Sequence, residues 1–133
     1  MKRVLFLCSH NSARSQMAEG FLRAYGGGRF VAESAGTTAT RVHPLAITAM
    51  SEVGIDISGH RSKSVDEVGT SWDVVVTVCD VSCPIPPPVP MKLRWKFPDP
   101  SLARGSDEER LAAFRRVRDG ISKRVRLLVE RLS

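Results

Sequence analysis

Short, nearly continuous apolar runs recur along the chain and predict four β-strands. They are RVLFLC (3–8), FVAES (30–34), WDVVVTVC (72–79) and KLRWKF (92–97). Nearly unbroken apolar runs of this length are typical of strands that are covered on both faces of a sheet. The third run is rich in β-branched residues and is the strongest strand signal in the chain.

Between and after these runs, apolar residues take the spacing of helices. Met17, Phe21 and Tyr25 share one face of a helix that the glycines at 26–28 end. A second helix is predicted to start near Pro44 and to end at Gly54. Ser106 and Glu109 have the spacing of a capping box for a last, amphipathic helix. Its apolar face comprises Leu111, Phe114, Val117, Ile121 and Leu128.

A strand, a helix and a strand within about thirty residues predict a βαβ unit with parallel strands. The sequence contains no internal repeat, low-complexity segment or linker, and 133 residues suit one compact domain. We therefore predict a single domain over 1–133 of the α/β class. Its core is expected to be a single open, mostly parallel four-stranded sheet flanked by helices.

Composition and charge narrow the function classes. The apolar runs are shorter than the roughly 18 residues that span a membrane, and residues 1–8 do not resemble a signal peptide. We expect a cytoplasmic protein, a monomer, that is not bound to a membrane. The net charge is +6, of which residues 103–133 carry +4. Without interleaved aromatic residues or a nucleic-acid module, this charge favours a solvated helix surface over a nucleic-acid partner.

The chain has three cysteines, Cys8, Cys79 and Cys83. An odd number of cysteines in a reducing compartment argues against a permanent disulfide framework and leaves metal binding or thiol chemistry. His10, His43 and His60 lack ligand-like spacing with these thiols. We therefore expect thiol chemistry and no metal, and we expect His43 and His60 to be surface or capping residues.

Reactive side chains follow three of the predicted strands. Cys8 ends the first strand, Cys79 ends the third, and Asp99 comes just after the fourth. In open α/β sheets, ligands bind outside the carboxyl ends of the strands. The three residues are therefore expected at one edge. The alternatives are that Cys79 is a small buried hydrophobe and that Asp99 is a turn residue between two prolines.

The polar loop after Cys8 has the features of an oxyanion-binding loop. Backbone N–H groups and the start of a helix favour an anion, and they would favour the thiolate of Cys8. Arg14 offers a planar fork to two oxygens of a tetrahedral oxyanion. Asn11 is expected to hold the loop's shape, and Ser15 to donate a hydrogen bond to the thiolate. The predicted loop comprises Ser9, His10, Asn11, Ser12, Ala13, Arg14 and Ser15.

LCSHNSARSQMAEG (7–20) resembles the C-x5-R-S loop of low-molecular-weight protein tyrosine phosphatases, and resembles even more closely the arsenate reductases built on the same fold. The likeness continues through ESAGT, HPLAITAMSEVGIDISGHRSKS, VVVTVCDVSCP and FPDP, nearly the whole chain. It implies that Cys8 is the nucleophile, Arg14 the oxyanion binder and Asp99 the general acid or base. Cys79 and Cys83 are then the second and third redox cysteines.

The resemblance implies reduction of arsenate to arsenite through a relay of the three thiols, with no bound cofactor. Thioredoxin is the expected reductant. The C-x3-C spacing of Cys79 and Cys83 is shorter than in many thioredoxin-coupled members, so glutaredoxin and mycothiol-type systems stay open. A relay also requires backbone movement, because a disulfide needs Cα atoms within about 7 Å. The proline-rich segment DVSCPIPPPVP (80–90) is expected to allow this movement, since its prolines lack the N–H donors that regular structure needs.

Two other functions remain open at this stage. The first is a tyrosine phosphatase, which needs Cys8, Arg14 and Asp99 but has no use for the other thiols. The segment DPSLARG, which begins at Asp99, lacks the tyrosines typical of that activity. A non-enzymatic module that binds an oxyanion or arsenite is the third reading. Asn11, Glu19 and Ser34 match positions that bind potassium in some relatives, although a supporting hydrogen-bond network is the preferred interpretation.

Overall fold

The computed structural model describes residues 1–79 and 88–133. Four strands and three α-helices form its framework, in the order β1, α1, β2, α2, β3, β4 and α3. Their bounds are β1 Lys2–Cys8, α1 Arg14–Gly26, β2 Phe30–Gly36, α2 Pro44–Ser51, β3 Val74–Val78, β4 Met91–Trp95 and α3 Asp107–Leu132. Short 3₁₀ helices lie at Gly27–Arg29, Val65–Glu67 and Pro100–Leu102.

The four strands form one sheet in the order β2-β1-β3-β4, and each neighbouring pair is parallel. The predicted α/β fold with an open parallel sheet is therefore confirmed. The chain passes from β1 outward to β2 and then returns to the other side of β1 to form β3. This reversal puts a topological switch point at the carboxyl ends of β1 and β3, where open α/β sheets bind ligands.

The two faces of the sheet are covered differently. Val4, Phe6 and Val76 share one buried cluster with apolar residues of all three α-helices. On the other face, Leu5 and Val75 pack with Trp72. Four partly buried valines complete this smaller cluster, namely Val31, Val65, Val68 and Val89. The larger core thus lies between the sheet and α1, α2 and α3.

The ends of the elements follow the local signals. Ser106 and Glu109 form the predicted capping box at the start of α3. Helix α2 ends at Ser51, three residues before Gly54, whose φ of +81° turns the chain away. Among the described helices, none combines the length and the apolar character needed to cross a membrane.

Candidate active site

A cavity of about 190 Å³ opens at the carboxyl end of β1. The loop between β1 and α1 forms its base, and the segment that follows β4 forms one wall. It brings together residues from three separate stretches of sequence, namely 8–14, 40–43 and 99–101. The lining residues are Cys8, His10, Ser12, Ala13, Arg14, Thr40, His43, Asp99 and Ser101.

Cys8 is a free thiol at the base of this cavity, with 2% of its surface exposed. Its Sγ lies 2.8 Å from the Oγ of Ser15, in the first turn of α1. Asn11 Nδ2 donates to the same Ser15 oxygen at 2.9 Å. Because that oxygen already accepts from Asn11, its own hydroxyl hydrogen is free to point at Cys8. The predicted hydrogen bond from Ser15 to the thiolate thus has the required geometry.

The side chain of Asn11 has a defined orientation, because its Oδ1 accepts from the backbone N–H of Lys63 at 2.8 Å. A backbone N–H can only donate, so the other side-chain atom must be the amide nitrogen that faces Ser15. Gln16 Nε2 also donates to Asn11 Oδ1, at 2.9 Å. Asn11 has a φ of +50°, a conformation that asparagine tolerates better than most residues. As predicted, Asn11 holds the shape of the loop.

Gly36, the last residue of β2, lets the loop lie close to the sheet. A Cβ at this position would lie 2.7 Å from the backbone nitrogen of Asn11 and 2.8 Å from the carbonyl oxygen of Ser9. Real Cβ atoms do not approach backbone atoms so closely. A glycine is therefore required here for a steric reason, since the loop passes directly over its Cα.

Arg14 and Asp99 face each other across the cavity. Arg14 donates to the carbonyl oxygen of Phe97 at 3.1 Å, and its other terminal nitrogen lies 3.7 Å from Asp99 Oδ2. Asp99 Oδ1 accepts from both the backbone N–H and the hydroxyl of Ser101, at 3.0 and 2.7 Å. Asp99 is therefore a turn residue and a cavity residue at once: one oxygen caps the turn, and the other faces the arginine.

Behind the loop, the carboxylate of Glu19 is buried, with 1% exposure. Ser34 donates to it at 2.6 Å, and Arg23 lies 3.0 Å away. Lys63 Nζ is 3.9 Å from Glu19 and 3.1 Å from Glu33. Buried carboxylates require such compensation. The preferred hydrogen-bond interpretation of Asn11, Glu19 and Ser34 thus has a physical basis, and two cations of the chain itself lie next to Glu19.

Two histidines belong to this region in different ways. His43 is the N-cap of α2, as expected: its Nδ1 accepts from the backbone N–H of Leu45 at 3.1 Å. The expectation for His60 was wrong, because it is half-buried, and its Nδ1 lies 3.0 Å from Gln16 Oε1 and 3.6 Å from Glu19. Burial lowers the pKa of both imidazoles, while the charge of Glu19 partly opposes this for His60.

Of the two other predicted thiols, the structure describes only Cys79. Cys79 directly follows β3, the strand next to β1, and is buried with 1% exposure. Cys83, the predicted third thiol, lies outside the described residues. In residues 1–79 and 88–133, no group of three or more His, Cys, Asp or Glu side chains is arranged to hold a metal ion.

Sequence reasoning missed several residues that build the site, namely Gln16, Gly36, His43, Lys63 and Ser101. Ser101 had a usable signal, because serine two residues after an aspartate often bonds back to its carboxylate. The others had none, since their contacts join positions far apart in the chain. For example, Lys63 and Asn11 are 52 residues apart.

A buried thiol at a strand-to-helix turn, with an arginine and an aspartate lining the same cavity, is the arrangement of a candidate cysteine-dependent site for an oxyanion. The chain belongs to the low molecular weight phosphotyrosine protein phosphatase family, whose model matches residues 3–133. The resemblance drawn from the motifs is thereby confirmed.

Several relatives within this family carry the name arsenate reductase. One from Halalkalibacterium halodurans is 47% identical, over 97% of this chain and 96% of its own length. A glutaredoxin arsenate reductase from Synechocystis is 40% identical over the full length of both chains. Among solved structures, an arsenate reductase in the phosphate binding state is 38% identical, with full coverage of both chains and a TM-score of 0.85. A thioredoxin-dependent arsenate reductase from Corynebacterium glutamicum is 30% identical, covering 100% of this chain and 64% of that one, with a TM-score of 0.75.

Proposed function

We propose that this protein reduces arsenate to arsenite with its own thiols. The observation that carries the proposal is the pairing of two cysteines with an oxyanion site. Cys8 lines one cavity with Arg14 and Asp99. Cys79 directly follows β3, the strand next to β1, and so lies at the same carboxyl edge of the sheet. Hydrolysis of a phosphate ester would need the first three residues but not Cys79. The names of the relatives support the same activity.

In the binding step, the cavity takes a tetrahedral oxyanion. The guanidinium of Arg14 binds two of its oxygens, and the backbone N–H groups at the start of α1 bind others. A related arsenate reductase has been solved in a phosphate binding state, which supports this use of the loop. Phosphate and arsenate have similar shape and charge, so the preference for arsenate arises in the redox steps.

In the first chemical step, the Cys8 thiolate attacks arsenic and forms a sulfur–arsenic bond. One arsenate oxygen leaves as water, and Asp99 supplies the proton that it needs. The Oδ2 atom of Asp99 is suited to this role, because Ser101 occupies only Oδ1. The contact with Ser15 holds the Cys8 sulfur in position for the attack.

In the second step, the Cys79 thiolate attacks the sulfur of Cys8. The electron pair of the sulfur–arsenic bond passes to arsenic, which leaves as arsenite, and a Cys8–Cys79 disulfide forms. Arsenic gains two electrons, and the two thiols lose two. Cys83 then attacks Cys79, which frees Cys8 and leaves a Cys79–Cys83 disulfide.

An external dithiol protein reduces this last disulfide, and we propose thioredoxin. The thioredoxin-dependent relative from C. glutamicum supports it, whereas the glutaredoxin arsenate reductase from Synechocystis supports a glutaredoxin instead. Either reductant operates in a reducing compartment, so we propose that the protein acts in the cytoplasm, without a bound cofactor.

The test is arsenite production from arsenate with thioredoxin, thioredoxin reductase and NADPH. Wild type is expected to turn over, while Cys79→Ser and Cys83→Ser are expected to stop after no more than one event. Hydrolysis of p-nitrophenyl phosphate serves as the control, because Cys79→Ser should leave it nearly intact. Turnover only with a glutaredoxin system would replace the reductant. Failure with every dithiol donor would refute the reductase.

Phosphatase activity is the second candidate, and one observation favours it. Cys8, Arg14 and Asp99 line one cavity and form the minimum set for a phospho-cysteine mechanism. Brisk aryl phosphate hydrolysis by wild type, together with no arsenite production, would favour this alternative.

A further inference from the structure

His43 connects the oxyanion loop, helix α2 and the cavity. Its backbone N–H donates to the carbonyl oxygen of Ser12, inside the loop, at 2.9 Å. His43 lines the cavity together with Cys8, Arg14 and Asp99. Capping of α2 accounts for the Nδ1 atom of His43, but it leaves Nε2 without an assigned role in a residue that lines the cavity.

The hydrogen bond to Leu45 fixes the tautomer of the His43 ring. The backbone N–H of Leu45 can only donate, so Nδ1 must accept and carries no hydrogen. In the neutral ring, the hydrogen is therefore on Nε2. The ring also packs against Phe114, with centroids 4.7 Å apart, which limits its rotation. His43 thus presents one N–H donor in a restricted direction.

The surroundings of His43 keep the ring neutral near pH 7. Burial, and then the charges of Arg110 and Arg41, lower its pKa, while Asp99 acts in the opposite direction. Arg14 and His10 also line the cavity. A neutral donor next to Arg14 adds a hydrogen bond to an anion without adding a second charge that would repel the arginine.

We propose that His43 is a substrate-positioning residue that donates its Nε2–H to an oxygen of the tetrahedral oxyanion bound above Cys8. This inference rests on the proposed function only to the extent that the cavity binds such an oxyanion. It applies equally to the arsenate reductase and to the phosphatase alternative. In this arrangement the two nitrogens of the His43 ring have separate partners: Nδ1 accepts from the start of α2, and Nε2 donates to the oxyanion.

The decisive variant is His43→Asn. Asparagine is among the best N-cap residues, so the cap of α2 is retained, while the ring N–H is lost. His43→Ala removes both and serves as the comparison. The probe is inorganic phosphate, measured by isothermal titration calorimetry on the reduced protein, with thermal unfolding as the structural control.

His43→Asn is expected to keep the melting temperature of wild type and to bind phosphate about three- to tenfold more weakly, the size of one lost hydrogen bond. In turnover assays, KM should rise by a similar factor, with kcat changed less than twofold. By ¹⁵N-resolved NMR, the Nε2–H signal of His43 should shift and exchange more slowly with water when phosphate is added to wild type. Unchanged phosphate affinity in His43→Asn, or an Nε2–H signal that ignores phosphate, would reduce His43 to a helix cap.

These measurements separate this inference from the proposed function. Phosphate binding requires no reductant and no second thiol. If wild type made no arsenite but His43→Asn still weakened phosphate binding, the reductase would fail and the role of His43 would stand. If arsenite production were normal but His43→Asn bound phosphate as wild type does, only the role of His43 would be refuted.

Discussion

Replacement of Gly36 by alanine tests the most restrictive contact of the oxyanion loop. The new Cβ would lie 2.7 Å from Asn11 N, 2.8 Å from Ser9 O and 2.9 Å from the His10 carbonyl carbon. All three are backbone atoms, so no flexible side chain can move aside. Ordinary contact begins at 3.4 Å, and the loop must therefore move by about 0.7 Å relative to β2 to restore it.

Two magnitudes follow from that displacement. Forcing extra volume into a packed site costs about 1–3 kcal/mol of the free energy of unfolding. A shift approaching 1 Å in catalytic groups can lower the rate by about 10²-fold. We therefore expect Gly36→Ala to stay folded at 25 °C, with a lower melting temperature, and to lose far more activity than stability.

The assay measures thermal unfolding, phosphate affinity and arsenate turnover on the same preparation. Gly28→Ala is the matched control, because a Cβ there meets no atom within 4 Å. The control should behave as wild type in all three measurements. If Gly36→Ala also matched wild type in phosphate affinity and turnover, the loop could not lie against the end of β2 as described.

Two further predictions concern the thiol and the outer ion pairs. Ser15→Ala removes the bond to Cys8 Sγ, so alkylation of Cys8 by iodoacetamide at pH 7 should slow about tenfold. The rate is measured by mass spectrometry, and the control Ser122→Ala should alkylate as fast as wild type. Equal rates for Ser15→Ala and wild type would contradict the role of Ser15. Glu52 joins α2 to α3 through Arg115 and Arg118, and its hydrogen bonds to Arg115 chiefly lower its pKa to about 2. Its stabilisation is therefore present above pH 4.5 and is lost as the pH falls towards 2. Glu52→Gln should lower the melting temperature at pH 7, and its difference from wild type should shrink at pH 3; a difference that stays constant with pH would contradict this.

The sequence allowed prediction of the fold and of the residues around the thiol, because their signals are local. Continuous apolar runs marked the strands, and the position of Cys8 at the end of the first strand placed the site at the carboxyl edge of the sheet. Ser15 and Asn11 were predicted for the same reason, since they lie within seven residues of Cys8.

The support of the loop could not be predicted in this way. The partners of Asn11 and Ser12 come from Lys63 and His43, in segments whose place depends on the packed core. His60 was expected at the surface or at a cap, because a single histidine in a polar stretch carries no sign of the Gln16 and Glu19 side chains that meet it. Side-chain hydrogen bonds between distant segments leave no periodicity to detect.

The long sequence separations within the site also affect how the chain folds. The bond between Lys63 and Asn11 spans 52 residues, and that between Arg14 and Phe97 spans 83. Non-local contacts of this kind form late, after the entropy of closing long loops has been overcome. A partly folded chain therefore contains Cys8 without the hydrogen-bond network that surrounds its sulfur in the folded protein. Recovery of phosphate binding during refolding should therefore lag behind the formation of helix.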